Sequence, residues 1–321
     1  MSERTSRWRI GAVGLVQVVG TGAAGATLLA YVPHAWPFEL LVHWRVQYVA
    51  VLVPAVLVLL AARRFGWSAG LAVFAVLDGI AVAPLFMGEP DRAPDGTPVV
   101  RALLANVNSG NLRADLVGAA IRATDPDVVV LEEVSARWLR DLAPVLAAYP
   151  FSETAPRNDN FGIALFSRIE MRRALTTEFG SAGLPTIVAS LGPQDASFTL
   201  VATHPLPPMG GRMRYLRDEQ LRALAEEIPA ERGPVVLLGD LNTSPFAPIF
   251  REFLATSGLR DSSVGRGHQA TWPARFGPFG IALDHCLVSD DVVVTRREVG
   301  PFVGSDHLPI TVEFAIRARR P

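Results

Sequence analysis

The chain has no lysine and a single cysteine, Cys286, among 321 residues. Every fixed side-chain cation is therefore arginine, and an intrachain disulfide scaffold is excluded. Charge is scarce: 19% of residues are charged, the formal net charge is −1 and mean hydropathy is +0.28. Soluble domains usually carry about a quarter charged residues. A strong basic excess is also missing, which argues against a protein that grips duplex DNA chiefly through its phosphates. Composition and pattern exclude disorder, collagen and coiled coil, and no internal repeat or low-complexity run is present.

What is there is unevenly spread. Up to Gly96 the chain has seven arginines and six acids; the remaining 225 residues hold 23 arginines and 25 acids. The second part has ordinary globular composition and is long enough to bury a full core. The first part reads as membrane. A span needs about 20 apolar residues at about 1.5 Å each. Three segments fit: 10–32, 46–62 and 68–87, with Asp78 the one acid inside them. Trp8, Tyr31, Trp36, Trp44, Phe65 and Trp67 lie near the ends, as an aromatic belt would. Tyr31-Val32-Pro33-His34 is a poor small-residue cleavage site, so the first span reads as an anchor rather than a removed signal. Asp78 is expected to be hydrogen-bonded or protonated and to face the small bundle, with an ion path as the rarer alternative.

Arginine placement predicts orientation. Arg4, Arg7 and Arg9 precede the first span, and Arg63-Arg64 lie between the second and third, whereas the first loop has only Arg45. Positive-inside bias puts the amino terminus in the cytoplasm, and three crossings leave the distal domain outside it. The expected organisation is an anchor over 1–88, a Pro/Gly/Asp-rich linker over 89–98 and a catalytic domain over 99–321.

From Val99 strands and helices alternate. Strands are predicted at 99–105, 127–131, 162–166, 186–191, 197–202, 234–238, 281–288, 292–298 and 308–314. Helices are predicted at 112–123, 136–148, 213–228 and 246–257, with the acids and arginines of 213–228 on its outer face. Strand after strand ends in groups suited to metal or phosphate chemistry, and strand ends are where α/β sheets gather ligand sites. One Asp after a strand is commonplace as a turn former or helix cap. Six such placements in one domain are not.

The ordered series Asn106-Val107-Asn108, Leu131-Glu132-Glu133-Val134, Thr203-His204-Pro205, Gly239-Asp240-Leu241-Asn242-Thr243, Leu283-Asp284-His285 and Ser305-Asp306-His307-Leu308-Pro309 resembles the endonuclease/exonuclease/phosphatase superfamily over roughly Val99 to Ile316. The resemblance implies an α/β four-layer sandwich, two mixed β-sheets flanked by helices, a fold that the alternation alone does not single out.

The resemblance also implies roles. Glu133 matches the family's metal-binding glutamate, while Glu132 stands where the family usually has Gln. Asn106 matches the asparagine that helps bind the metal, and Asp306 resembles a metal-side ligand. Asp240 corresponds to the residue that orients or deprotonates the attacking water, and Asn242 to a donor to a phosphate oxygen. His307 is matched to a histidine that binds phosphate or moves a proton, Asp284 to its partner carboxylate, and His204 to a histidine placed to protonate the leaving oxygen. Asn108, Asn160 and Trp272 are candidates for substrate contact. Phe276 and Phe279, in the same loop as Trp272, are suited to stacking on a base or touching lipid. His268 and His285 have no motif support.

This donor set favours Mg2+, with Mn2+ as the alternative ion. The expected activity is water attack on phosphorus in a phosphoester, by an enzyme anchored in a lipid bilayer. Its substrate is expected to be a phospholipid head group, a nucleic acid or a small phosphorylated metabolite. The rivals are a nuclease acting on extracytoplasmic DNA and a non-catalytic binding module, whose signature would be loss of site residues. No protein partner is inferable.

Overall fold

The computed structural model describes residues 2–32, 36–88, 92–93, 96–194, 197–231 and 233–317. The chain divides into two compact units, Met1–Phe86 and Met87–Pro321. Of the expected linker, residues 89–91 and 94–95 lie outside the described residues.

The first unit is helical: α1 (Ser2–Leu29), α2 (Trp36–Val42), α3 (Arg45–Ala61) and α4 (Phe65–Val82). Two helices are long and apolar enough to cross a membrane, Gly11–Leu29 and Phe65–Leu85. The segment expected to form the second span is not a full-length helix. At 17 residues α3 rises roughly 26 Å, short of the ~30 Å hydrocarbon core. It reaches the required length only together with α2, from which it bends by 65°. A small core of Ala24, Leu52, Ala55, Leu59 and Leu71 joins α1, α3 and α4. Asp78 is fully buried: Arg45 Nη1 lies 2.6 Å from its Oδ1, and Thr27 Oγ1 donates to its Oδ2 at 2.6 Å. Arg45 is therefore buried and paired, not an exposed loop arginine, and its guanidinium also sits 4.7 Å from the Tyr31 ring centroid.

The second unit contains two six-stranded sheets. Its strands are β1 (Val99–Asn106), β2 (Val128–Glu132), β3 (Phe151–Ala155), β4 (Ile163–Ser167), β5 (Met171–Glu178), β6 (Pro185–Leu191), β7 (Phe198–Thr203), β8 (Val235–Asp240), β9 (Arg260–Asp261), β10 (Asp284–Val288), β11 (Val292–Val299) and β12 (Ile310–Ile316). One sheet has the order β11-β12-β1-β2-β4-β3 and the other β5-β6-β7-β8-β10-β9. Each has one central parallel pair, β1–β2 and β7–β8, among antiparallel neighbours. The helices are α5 (Ala114–Thr124), α6 (Ala136–Leu146), α7 (Gly211–Glu227) and α8 (Pro248–Ser257).

Alternation along the strands builds the layers. Ala102, Leu104, Val128 and Val130 of one sheet meet Leu200, Ala202, Val236 and Leu238 of the other in the inter-sheet core. The opposite parity, Leu103, Ala105, Val129 and Leu131, packs under α5 and α6 through Ile121, Trp138 and Leu142. On the far side, Phe250 of α8 lies against His285 of β10, ring centroids 4.6 Å apart. The helix expected from Phe246 begins at Pro248. Proline is pre-shaped for a first helical position and holds the preceding Ala247 extended at ψ 142°.

Candidate active site

Strand parity also creates the site. Asn106 continues the face of Ala102 and Leu104, Glu132 that of Val128 and Val130, and Asp240 that of Val236 and Leu238. His204 follows Leu200 and Ala202 just beyond β7. β10 runs the other way, so Asp284 opens the strand whose Cys286 and Val288 are core. Register sets Asn106 beside Glu132 in one sheet and Asp240 beside Asp284 in the other. The polar residues are thus the last layer of the inter-sheet core, at one end of the sandwich.

They meet across the sheets. Asn106 Nδ2 is 3.2 Å from both Glu133 Oε1 and Asp240 Oδ2. The Asp240 amide donates to the Glu132 carboxylate at 3.0 and 3.2 Å. His307 Nδ1 lies 2.9 Å from Asp284 Oδ2, and its Nε2 lies 3.4 Å from Asp240 Oδ2. His204 Nε2 is 3.5 Å from that same oxygen and 3.3 Å from Asn242 Nδ2. Asn242 is fixed by donating from Nδ2 to Pro205 O at 2.9 Å and from its amide to Asp240 Oδ1 at 2.9 Å.

The backbone is bent to achieve this. Asn108, Glu133 and Asn242 have φ of +57°, +60° and +49°, three of the five described non-glycine residues with positive φ. Asparagine visits this region readily, glutamate rarely, so Glu133 is held there by its surroundings. Gly239 is required by close approach: a Cβ would lie 2.1 Å from Thr203 O, one residue before Asp240.

Charge follows from burial and neighbours. Burial opposes a charge on His307, but Asp284 and Asp240 outweigh it and push its pKa up to about 10. Burial likewise opposes charge on His204, and Asp240 with Glu132 raises it to about 9. Asp240 is held well below the usual carboxylate range despite burial, by His307 and His204. Glu132 is raised well above its ordinary value, first by burial, with Asp240 and Asp284 adding to it. Within this cluster, the buried atoms His204 Nδ1 and Asp284 Oδ1 have no hydrogen-bond partner among the described residues.

Asp240, Asp284 and His307 present ligand atoms within 4.8 Å of one another. Glu133 and Asn106 lie beside this group and carry oxygen donors of the kind a hard cation takes, while His307 is engaged by Asp284. Five carboxyl groups, those of Glu132, Glu133, Asp240, Asp284 and Asp306, gather here around two imidazoles. That set of donors fits Mg2+ or Mn2+ and not a thiolate-seeking ion.

The remaining predicted residues form the rim. Asp306 is exposed and accepts from Asn108 Nδ2 at 2.6 Å and Trp272 Nε1 at 3.1 Å. Asn160 accepts from the Ser109 hydroxyl, and the Ser109 amide donates to Glu133 Oε2 at 3.0 Å. His285 and His268 are occupied with the carbonyls of Thr243 and Gly280 at 2.8 and 2.9 Å.

Supporting residues escaped the sequence reading. Arg217, expected on the outer face of its helix, is fully buried and donates from Nη1 to Asn242 O at 3.0 Å. Its signal was positional, since Arg217 shares a helical stripe with Gln220, Leu221, Leu224 and Ala225. Arg297 Nη2 donates to Asp284 O at 2.9 Å, and Thr271 Oγ1 accepts from the Asp284 amide at 3.3 Å. No motif marks Arg297, whereas Thr271 directly precedes Trp272 in the loop that resembles the family's substrate border.

Solved structures share this fold. An endonuclease/exonuclease/phosphatase from Beutenbergia cavernae superposes with TM-score 0.57 at 21% identity, covering 68% of this chain and 72% of its own. The human Nocturnin catalytic domain with bound sulfate gives 0.57 at 20%, covering 68% and 94%. A humanized D. rerio TDP2 gives 0.56 at 16%, covering 67% and 98%. No curated protein matches the chain. The model of the Endonuclease/Exonuclease/phosphatase family matches residues 103–307, the stretch that runs from β1 to the site histidine His307, and the chain belongs to that family.

Proposed function

We propose that the chain is a divalent-metal-dependent phosphoester hydrolase tethered to a membrane by its amino-terminal unit. The observation that carries this reading is the line Asp284–His307–Asp240–His204. One carboxylate oxygen, Asp240 Oδ2, lies within 3.5 Å of both imidazoles while Asp284 backs His307. A divalent ion held by Glu133 and Asn106, with Asp306 on the same rim, would supply positive charge to a phosphate oxygen.

The chain's own groups do the rest. Asp240 accepts a hydrogen bond from the attacking water and aims it in line. As the new phosphorus–oxygen bond forms and the bond to the leaving oxygen breaks, the Asp240 carboxylate is the acceptor for the water's proton. His307, kept cationic by Asp284, and Asn242 Nδ2 donate to phosphate oxygens as charge develops. His204 holds a proton at Nε2 for the leaving oxygen. The buried Glu132, standing where Gln is usual, fixes the Asp240 backbone. The test is a panel of plasmid DNA, abasic duplex, phospholipid and a chromogenic diester, each with Mg2+, Mn2+ or EDTA. Metal-dependent hydrolysis supports the reading, and full activity after metal stripping refutes it.

For the anchor, we propose that α2 and α3 form one bent crossing, giving three in all and an extracytoplasmic catalytic unit. The arginines at 4, 7, 9, 63 and 64 support this parity. A reporter fused after Pro321 decides: alkaline phosphatase activity without green fluorescence supports it, and fluorescence without phosphatase activity means two crossings.

A further inference from the structure

The site end of the catalytic unit differs from its other end in what it exposes. Leu112, Met209, Phe276, Phe279 and Phe302 are exposed by 78%, 73%, 43%, 71% and 59%. The three phenylalanines are all the exposed ones among the described residues of this unit. All five residues lie on loops tied to the site. Asn111 Nδ2 donates to Val303 O at 3.1 Å, joining the loop of Leu112 to that of Phe302. Ala274 N donates to Asp306 O at 2.7 Å, joining the loop of Phe276 to the site rim. Met209 follows His204 on the loop whose Pro205 carbonyl holds Asn242. Arg212 and Arg275 are exposed beside them, Arg275 over the Phe276 ring at 5.1 Å. The opposite end carries Asp125, Asp127, Glu170, Asp290 and Asp291 in its turns, with Val99, where β1 begins, exposed by 47%.

Monomeric proteins seldom cluster large exposed apolar groups without an apolar partner. Aromatic and aliphatic tips flanked by arginine are what an anionic bilayer surface accepts. The chain supplies a reason to choose a bilayer over other partners. It enters the catalytic unit at Met87, two residues beyond the apolar helix Phe65–Leu85. Within that unit Gly88 packs directly on Gly265, and His268, three residues on, reaches Gly280 O at 2.9 Å, the end of the loop carrying Phe276 and Phe279. The entry of the chain and the apolar rim are thus linked by a short path.

We propose that this rim seats on a lipid bilayer, and that the site takes a phosphorylated amphiphile whose head group is presented in that bilayer. The substrate half rests on the hydrolase reading above; the docking half does not. Seated there, the site would meet its phosphate at the membrane surface, and a soluble diester would reach it with no help from the rim.

The experiment uses the full chain reconstituted into vesicles of phosphatidylcholine with phosphatidylglycerol or phosphatidic acid. An environment-sensitive dye is attached at Phe302→Cys or, as control, at Leu175→Cys on β5; the buried Cys286 does not compete for label. Brominated lipid should quench the dye at 302 and not at 175. Equal or absent quenching overturns docking, whatever is hydrolysed. In parallel, the Leu112→Ser/Met209→Ser/Phe302→Ser variant should lose about tenfold or more in turnover of the vesicle phospholipid, a modest figure for three large side chains withdrawn from lipid. Its turnover of a chromogenic diester should stay within about twofold. Hydrolysis of the diester or of plasmid DNA but of no vesicle lipid overturns the amphiphile and leaves the hydrolase reading standing. Quenching at 302 with no hydrolysis of anything keeps docking and overturns the hydrolase reading.

Discussion

The two units each bury a cluster of charged groups, and the clusters differ in how completely they are closed. In the helical unit Asp78 has both oxygens engaged, one by Arg45 and one by Thr27, and the charges balance. In the catalytic unit Asp240 Oδ2 is shared by three neighbours, Asp284 Oδ1 and His204 Nδ1 are left without partners among the described residues, and carboxyl groups outnumber imidazoles. A closed pair fixes helices against one another. An open, acid-rich cluster has capacity for something not supplied by the chain, and carries the backbone strain at Glu133 to keep it.

Breaking each cluster should therefore differ in its effect on turnover. Asp240→Asn and His307→Ala should each lower kcat on a chromogenic diester by about 10³-fold, through lost water positioning or charge stabilisation. His307→Ala also strands the buried Asp284 carboxylate, so its melting temperature should fall, and turnover is compared well below it. Near-normal turnover in both would remove the assigned roles. Arg45→Ala should leave that kcat intact and instead destabilise the helical unit by roughly 3 kcal/mol, because it strands a buried carboxylate. Proteolysis or thermal melting in detergent reads this, and Arg45→Met/Asp78→Leu should recover most of the loss. A catalytic defect in Arg45→Ala without loss of stability would contradict the comparison.

A smaller effect is expected from pH. His307 and His204 have folded pKa values of about 10 and about 9, raised above the unfolded value of about 6.5. Their stabilisation is complete below about pH 6.5 and is lost as pH rises through 9 to 10. Asp240 is lowered, so its contribution is present above the unfolded carboxylate range and is lost as pH falls. In EDTA, melting temperature should fall from about pH 6.5 toward pH 10, with a shallower fall in His307→Asn. A rise over that interval would show the imidazoles are not held cationic.

Much of the site was legible because polar residues close strand after strand in the order and spacing of the family that the motifs resemble. Asn106, Asp240 and Asp284 each continue or begin the core-facing register of an apolar strand, so one period places all three on one face. The less regular parts were not. β3 and β5 mix polar and apolar residues at a sheet margin, where half-exposed positions blur alternation. Arg217 hides on an apolar stripe, because a charge buried by one carboxylate and one carbonyl looks like a surface charge in sequence. The pairing of Arg45 with Asp78 joins residues 33 positions apart, and the bend between α2 and α3 depends on packing that hydropathy does not register.

With a divalent cation bound at Glu133, the open cluster should hydrolyse phosphoesters, and without it should not. The most direct measurement is turnover of a chromogenic diester by the EDTA-stripped full chain, titrated with Mg2+, in wild type and Glu133→Gln. Turnover should be absent without metal and recover on titration, with a Mg2+ midpoint at least about tenfold higher in the variant. Turnover in EDTA, or identical midpoints in the two proteins, would contradict this.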